Sequence, residues 1–417
     1  MRFTILAYGT RGDVQPYVAL GVALQRAGHT VRLAAPAVFH DLVAGYGLAF
    51  HGLPGDPADL MLQVADGASA NLVSQSVVVL RHTLPLARQM VDSVQKACQG
   101  AEAIVHSMLM TVIGHQMAVA RGVPDFSALI FLVFCPTSAF PVPTLAPGKH
   151  RARNRLSHVA FTQLFWQMNR LAYAYLRRGN HDLPPLSGWP LDRSLDRPTP
   201  ILYGLSSQIV PRPDDWGPDT HLTGYWTMPP PAGWRPPPEV EAFLAAGPPP
   251  VLVSFGSLMT RRVEQLTEVV LGALARTGQR AVLVRGWGGI GQRALPPQIL
   301  ALDSVPFEWL FPRMAALVHH GGVGTTATGL RAGVPAVIVP FTADQPFWGR
   351  QVARLGVGPA PIPPKKLSVD RLAAAIEAAL GDGAMRQRAA DLGERLRAED
   401  GAGRAVEILE AYLARAG

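Results

Sequence analysis

The sequence predicts an α/β protein built as two doubly wound domains, and three observations carry that prediction. Short apolar runs alternate with amphipathic, helix-compatible stretches along most of the chain. A proline-rich segment, residues 225–250, interrupts this alternation near the middle, after which the rhythm restarts. The 417 residues also exceed what one hydrophobic core usually serves, which suits two domains of about 200 residues each.

In the first half, Phe3–Gly9, Thr30–Ala35, Leu48–Leu53, Ala103–Ser107 and Phe126–Phe131 read as strands. Helical patterns run near Gln15–Ala27, Phe39–Tyr46, Ser69–Gln99 and Thr111–Arg121. Alternation of this kind implies a parallel sheet covered on both faces. Residues 140–200 break the rhythm with "PVPTLAP", a basic aromatic helix and "LPPLSGWP", an insertion of the sort in which substrate specificity resides. Residues 1–224 are therefore assigned to a first domain, 225–250 to a stiff linker and 251–417 to a second domain, whose last helix is a candidate to pack back on the first. In that second domain Val251–Phe255, Ala281–Arg285, Leu317–His320 and Ala336–Pro340 read as strands, and Val263–Arg276, Thr325–Ala332 and Phe347–Leu355 as helices. Two such domains are expected to face each other across a cleft. No internal repeat is visible.

Composition narrows the function. A hydrophobic fraction of 48% and a charged fraction of 16% exclude a largely disordered chain. Two cysteines, Cys98 and Cys135, supply neither a disulfide framework nor a metal cluster and suit a reducing cytosol. The apolar N-terminal run is too short for a secretory signal, and the longest apolar run, Ala128–Cys135, falls far below the ~20 residues that span a bilayer. A soluble cytoplasmic protein is expected. The net charge of +8 comes mostly from dispersed arginines, without runs of like charge or basic-aromatic alternation, so nucleic acid is not an expected partner. One cluster is denser. Lys149, His150, Arg151, Arg153 and Arg155, with Arg170, Arg177 and Arg178, bracket an apolar stretch containing Phe161, Phe165 and Trp166. It suits a basic amphipathic helix resting on a membrane surface, or, more plainly, a helix whose arginines snorkel over a buried face.

Two motifs carry chemistry. In "YGTRGDVQPYVALGVALQRAGH", residues 8–29, Asp13 stands between a strand and a helix, where open α/β sheets bind their ligands. It caps the helix or it takes a proton. In "LVHHGGVGTTATGLRAGVPAVIVPFTADQPFWG", residues 317–349, a strand ends in two histidines, a glycine turn follows and a helix begins. Backbone N–H groups at such a turn, with the positive end of the helix, form a site for phosphate or pyrophosphate. Thr325 and Thr326 lie in the first turn of that helix, and His320 adds a ring donor. At this turn G-x-G-x-x-G is not matched, since Gly322 and Gly324 are followed by Thr-Ala-Thr-Gly, and no P-loop sequence occurs in the chain. Asp344 and Gln345 open the next helix with the donors and acceptors that grip sugar hydroxyls. Ser257, ending "SFGS", is placed for a phosphate contact, and Trp287 offers a base-stacking platform or a core side chain.

Together these residues resemble the GT-B glycosyltransferases of family 1, most closely the bacterial branch related to sterol 3-β-glucosyltransferases and antibiotic (glycopeptide-type) glycosyltransferases. The resemblance covers essentially the whole chain and is anchored by "GTRGDVQP" and by "VPFEWLFPRMAALVHHGGVGTT…GLRAGVPAVIVPF…DQPFWG". It implies two Rossmann-like domains facing across a cleft and the transfer of a hexose from a UDP- or dTDP-sugar, with inversion. The hydroxyl that receives it belongs to a hydrophobic, sterol-like or natural-product acceptor. Asp13 would be the catalytic base, supported by Thr10 and Gly12. His320 would bind the diphosphate, Gly322, Gly324 and Thr325 its turn, and Asp344 with Gln345 the hexose. The plant W-x-P-Q signature appears as Ser304-Val305-Pro306-Phe307, so stacking by that Trp is not inherited, although Val305 stays in the donor set. The family's ribose-binding Glu is Thr328 here. Phe161, Phe165 and Trp166 are the acceptor candidates. No D-x-D pair occurs, so no metal and no cofactor are expected. A nucleotide-sugar 2-epimerase and a non-catalytic lipid or sugar carrier are the rival readings. A nicotinamide oxidoreductase is disfavoured because "VRLAAP" ends without an acidic residue.

Overall fold

The computed structural model describes residues 1–59, 86–145, 150–179, 183–191, 199–256, 263–286, 290–291 and 294–416. The chain divides into two units. The first comprises residues 1–207, 211–227 and 400–417, and the second residues 208–210 and 228–399.

The first unit holds strands β1 (Arg2–Leu6), β2 (Thr30–Pro36), β3 (Ala49–Leu53), β4 (Ala103–His106), β5 (Asp125–Leu129), β6 (Ile201–Tyr203) and β7 (Thr220–Leu222) in the order β3-β2-β1-β4-β5-β6-β7. Every pairing is parallel, with Phe3 opposite Val31 on one side and Ala103 on the other. Parallel strands are covered on both faces and so read as continuous apolar runs, as in Phe3, Thr4, Ile5 and Leu6, all buried. Strands β6 and β7, three residues each, fall outside the sequence-based strands, because so short a run carries no periodic signal of its own. The helix expected over Ser69–Gln99 is described only over 86–97; its earlier part lies outside the described residues. A buried polar network ties this face together. Asp125 bonds His106 Nε2 at 2.9 Å and His115 Nδ1 at 3.0 Å, and the two rings hold its carboxyl well below the ordinary range despite burial.

The second unit repeats the plan with β8 (Val251–Ser254), β9 (Ala281–Val284), β10 (Ile299–Leu302), β11 (Ala316–His319) and β12 (Ala336–Ile338), ordered β10-β9-β8-β11-β12 and again all parallel. Its core joins Val253, Leu283 and Val318 from the sheet to Val270 and Leu274 of helix Val263–Thr277 and to Ile376 of helix Val369–Gly381. The proline-rich stretch 225–250 is not extended throughout, as the sequence had implied. Helix Pro238–Ala245 occupies part of it, because Pro238 at the first helical position has the φ a helix needs and no N–H to lose there.

The last helix, Gly401–Ala416, belongs to the first unit. It packs on helix Arg11–Arg26. Tyr412 meets the Phe126 ring edge-on at 5.4 Å, His29 Nε2 lies 3.0 Å from Glu410, and Leu409 and Ala405 are fully buried. No helix among the described residues is long and apolar enough to cross a membrane.

Leu409→Ala should therefore destabilise the first unit by about 2–5 kcal/mol, the range for a large-to-small change in a core. Urea unfolding followed by tryptophan fluorescence measures this, and a change below about 1 kcal/mol would mean that the last helix is not docked as described.

Candidate active site

In both sheets the strand order reverses once, between β1 and β4 in the first unit and between β8 and β11 in the second. The helices that follow those strands leave the sheet on opposite faces, which opens a crevice beyond the strand ends. Asp13 stands beyond the first of these points, and His320 with its glycine turn beyond the second.

After β1 the chain turns at Gly9, with φ +136°, and enters helix Arg11–Arg26, four residues before the predicted start. Thr10 is its N-cap and Asp13 its third residue. The Thr10 N–H donates to Asp13 Oδ2 at 2.7 Å and the Thr10 hydroxyl donates to the same oxygen at 2.9 Å. Asp13 thus does cap the helix, in the reciprocal arrangement that the spacing Thr10-x-x-Asp13 signals. Gly9 is required beside it, since a Cβ there would stand 2.5 Å from Oδ2. Oδ1 takes no hydrogen bond among the described residues. Burial of the carboxyl raises its pKa above the ordinary value and outweighs the lowering by Thr10. One turn on, the buried Tyr17 donates to the Ala128 carbonyl at 2.6 Å, and burial with the Asp13 charge nearby pushes its pKa well up. Thr10 is a direct support of the carboxyl. Gly12 is exposed and contributes backbone only.

The second crevice is built around a histidine ring. Gly322 caps helix Val323–Ala332, so the N–H groups of Val323, Gly324 and Thr325 point out of its first turn without intrahelical acceptors. The His320 ring is wedged between two glycines. A Cβ at Gly256, just past β8 with φ +59°, would lie 2.8 Å from its Cε1, and one at Gly322 would lie 2.5 Å from its Nε2. Behind it, His319 is fully buried and its Nδ1 accepts from the Gly321 N–H at 3.1 Å. Burial pushes His319 down to about 3, helped by His320, and pushes His320 down to about 4. Both rings are neutral near pH 7. Two buried polar atoms here, His319 Nε2 and the hydroxyl of Thr326, have no hydrogen-bond partner among the described residues, and the His320 ring faces the Ser254 backbone. A neutral, donor-rich turn at a helix N-terminus with unsatisfied polar atoms is suited to an anion.

Asp344 and Gln345 stand at the start of helix Gln345–Arg354, both largely buried. Gln345 Oε1 accepts from the backbone N–H of Phe341 at 2.7 Å and of Thr342 at 3.1 Å, so that oxygen closes the loop and only the Nε2 group is left to donate. Asp344 Oδ2 accepts from the Trp348 ring N–H at 2.6 Å. Between them and the loop, Ala343 adopts φ +53°. Val305 follows β10 and is buried, which leaves no side-chain surface there for stacking. Ser257 and Trp287 lie outside the described residues.

The acceptor candidates Phe161, Phe165 and Trp166 sit on helix Arg151–Gly179 and are brought together by two residues that the sequence did not single out. Phe134, beyond β5 and held at φ +70°, centres 4.9 Å from Phe165 and 6.2 Å from Phe161. Trp189 meets Phe134 at 5.2 Å and Trp166 at 5.6 Å. Phe134 and Ala343 are the two non-glycine residues with positive φ among the described residues, and both adjoin predicted site positions. No group of three His, Cys, Asp or Glu side chains able to hold a metal ion occurs among the described residues.

Comparison with known proteins shows the family and the fold. Residues 3–120 match the glycosyltransferase family 28 N-terminal domain, and residues 268–411 match the erythromycin biosynthesis protein CIII-like C-terminal domain. The chain is 37% identical to O-mycaminosyltylonolide 6-deoxyallosyltransferase of Streptomyces fradiae, over 99% of this chain and 97% of that one. It is 36% identical to a sterol 3-beta-glucosyltransferase of Arabidopsis thaliana over 99% of its own length, and spans 66% of that longer protein. Among solved structures, the calicheamicin glycosyltransferase CalG4 superposes with a TM-score of 0.69 at 20% identity, covering 100% of this chain and 99% of that one. Glycosyltransferase VinC in complex with dTDP superposes at 0.68 and 19% identity, covering 99% and 100%.

The two buried histidines set a pH dependence. In the unfolded chain both return to their ordinary value of 6.5, so between about pH 6.5 and 4 the unfolded state binds protons that the native state does not. Stability should therefore fall as pH is lowered through that window. In urea titrations at neutral and mildly acidic pH, the His319→Gln/His320→Gln double variant should lose less stability on acidification than the parent. Equal losses would show that the rings are solvated.

Proposed function

This chain belongs to the GT-B glycosyltransferases, and from that premise we propose that it moves a hexose from a UDP- or dTDP-sugar to a hydroxyl of a hydrophobic small molecule, with inversion and without a metal. The observation that carries the donor half is the His320 turn, where a helix N-terminus, a neutral imidazole and a buried Thr326 hydroxyl without a partner among the described residues lie together within the second unit. A diphosphate leaving group accepts from all of these, and its developing charge is stabilised there without a cation. VinC, which has the same fold, is a dTDP-bound protein, and that supports a nucleoside diphosphate here. The donor pair keeps its sugar role in altered form. Gln345 offers its Nε2 group only, while Asp344 is steadied by Trp348.

Asp13 supplies the acceptor half. Thr10 fixes one carboxylate oxygen, and Oδ1 remains to accept the proton of the attacking hydroxyl. A pKa raised by burial makes this carboxylate a stronger base than a solvated one. As the acceptor oxygen bonds to the anomeric carbon, the bond to the diphosphate breaks and the proton passes to Asp13. One displacement inverts the centre. The aromatic set around Phe134 and Trp189 presents apolar ring surface for an aglycone. The relatives support an acceptor of this class, since one is a sterol glucosyltransferase and another acts on O-mycaminosyltylonolide.

Asp13→Asn should lower kcat by roughly 100-fold or more, with nucleoside diphosphate affinity unchanged. Unchanged turnover at saturating acceptor would leave Asp13 a helix cap alone. His320→Ala should weaken UDP or dTDP by about 1–3 kcal/mol in calorimetry. Asp344→Asn, which keeps an acceptor for Trp348, should spare the free nucleotide and weaken only the nucleotide sugar. Equal damage to both ligands would remove that pair from the sugar. Turnover should persist in EDTA, and its complete loss with recovery on adding magnesium or manganese would overturn the metal-free reading.

A further inference from the structure

Helix Arg151–Gly179 has a second face that the aromatic cluster does not use. At about 100° per residue, Asn154, His158, Thr162 and Tyr173 share one side, and all four are buried. Leu156, Leu164, Leu171 and Tyr175 fall within an arc of about 100° on the opposite side. Leu171 is 68% exposed and Leu156 65%, and Leu164 and Tyr175 are exposed as well. Val159, about 60° outside that arc, is also exposed. An ordinary helix on the surface of an α/β unit turns charge, not leucine, to water on its outer side. The helix also carries six arginines, Arg151, Arg153, Arg155, Arg170, Arg177 and Arg178, and no aspartate or glutamate in its 29 residues. Arg153 and Arg178 stand at the two ends of the leucine stripe and Arg170 and Arg177 flank it, all exposed.

We propose that this face docks the protein peripherally on an anionic lipid bilayer, leucines in the acyl boundary and arginines among the headgroups. The two features together select this occupant. A second copy meeting the same face would bring six arginines against six with no acid on either helix to offset them. A polyphosphate such as nucleic acid answers the arginines but not a row of exposed leucines. An anionic membrane surface answers both, and a helix of this kind lies in the interface without crossing it. The proposal makes no use of the transfer reaction, and its test reads no activity.

The test is flotation of the full-length protein with vesicles of phosphatidylcholine alone and of phosphatidylcholine containing about 30% phosphatidylglycerol, an anionic composition that draws in basic segments. Each arginine near such a surface multiplies partitioning by about fivefold at low salt. Bound protein should therefore be at least about tenfold greater on the anionic vesicles, and high salt should erase most of the difference. Leu156→Glu/Leu171→Glu and Arg170→Glu/Arg177→Glu should each reduce binding at least about tenfold with unchanged thermal unfolding, the first by removing buried apolar area and the second by reversing charge. Should either variant fail to fold, the lipid and salt arms on the parent protein still decide. Equal binding to both vesicle types, or undiminished binding by both variants, would overturn the proposal. So would concentration-dependent self-association that Leu171→Glu abolishes without any vesicle binding, since the face would then join two copies.

Discussion

Parallel pairing at the point where a sheet changes its direction of growth governs what each unit can do. Within the first unit β1 lies beside β4, and within the second β8 lies beside β11, with His319 opposite Ser254 at the end of that pair. The chain leaves two adjacent strands toward opposite faces, the arrangement in which open α/β sheets form a crevice beyond the strand ends. Asp13 and His320 stand one short turn beyond those ends. Their neighbours follow from the same constraint. Because the loops after β8 and β11 run side by side, Gly256 touches the His320 ring, and any larger residue there would displace it. The fold itself is shared by many chemistries, and only the residues set at these two points distinguish this one.

Burial acts in opposite directions on the two titratable groups that matter. It raises Asp13, making the carboxylate a better proton acceptor, and it lowers His320, keeping the imidazole uncharged. An uncharged ring costs less to desolvate than a cation and can still donate to a phosphate. In the proposed transfer, the attraction for the leaving group would rest on the helix end and the backbone rather than on a fixed positive charge.

Much of this was legible in the sequence, and what escaped notice did so for identifiable reasons. Strands such as β1, β4, β8 and β11 are apolar runs bounded by turn residues, and the glycine turn at 320–325 declares itself by composition. The first helix begins earlier than its apolar pattern, because Arg11, Gly12 and Asp13 carry no periodicity; the capping spacing from Thr10 to Asp13 was the available signal. Helix Pro238–Ala245 was hidden by the prolines around it. Phe134, Trp189 and the bonds from Asp125 to His106 and His115 depend on contacts between distant segments, and a positive φ at phenylalanine has no signature in one dimension. Gln345 opens a helix as its sequence position implies, but that its side-chain oxygen goes to its own loop has no signal in the sequence.

The return of residues 400–417 to the first unit has a bearing on how the protein is made. The first unit breaks off at residue 227 and is completed only by the final helix, which contributes Leu409 and Ala405 to its interior. At ordinary rates of translation, the intervening residues occupy the ribosome for about 10–40 s. Throughout that interval the newborn chain lacks the helix that packs on the side of helix Arg11–Arg26 not turned to β2. The second unit is continuous apart from three residues and is not subject to the same delay. Synthesis thus favours an order in which the second unit closes first, while the packing of the first waits for residues 400–417.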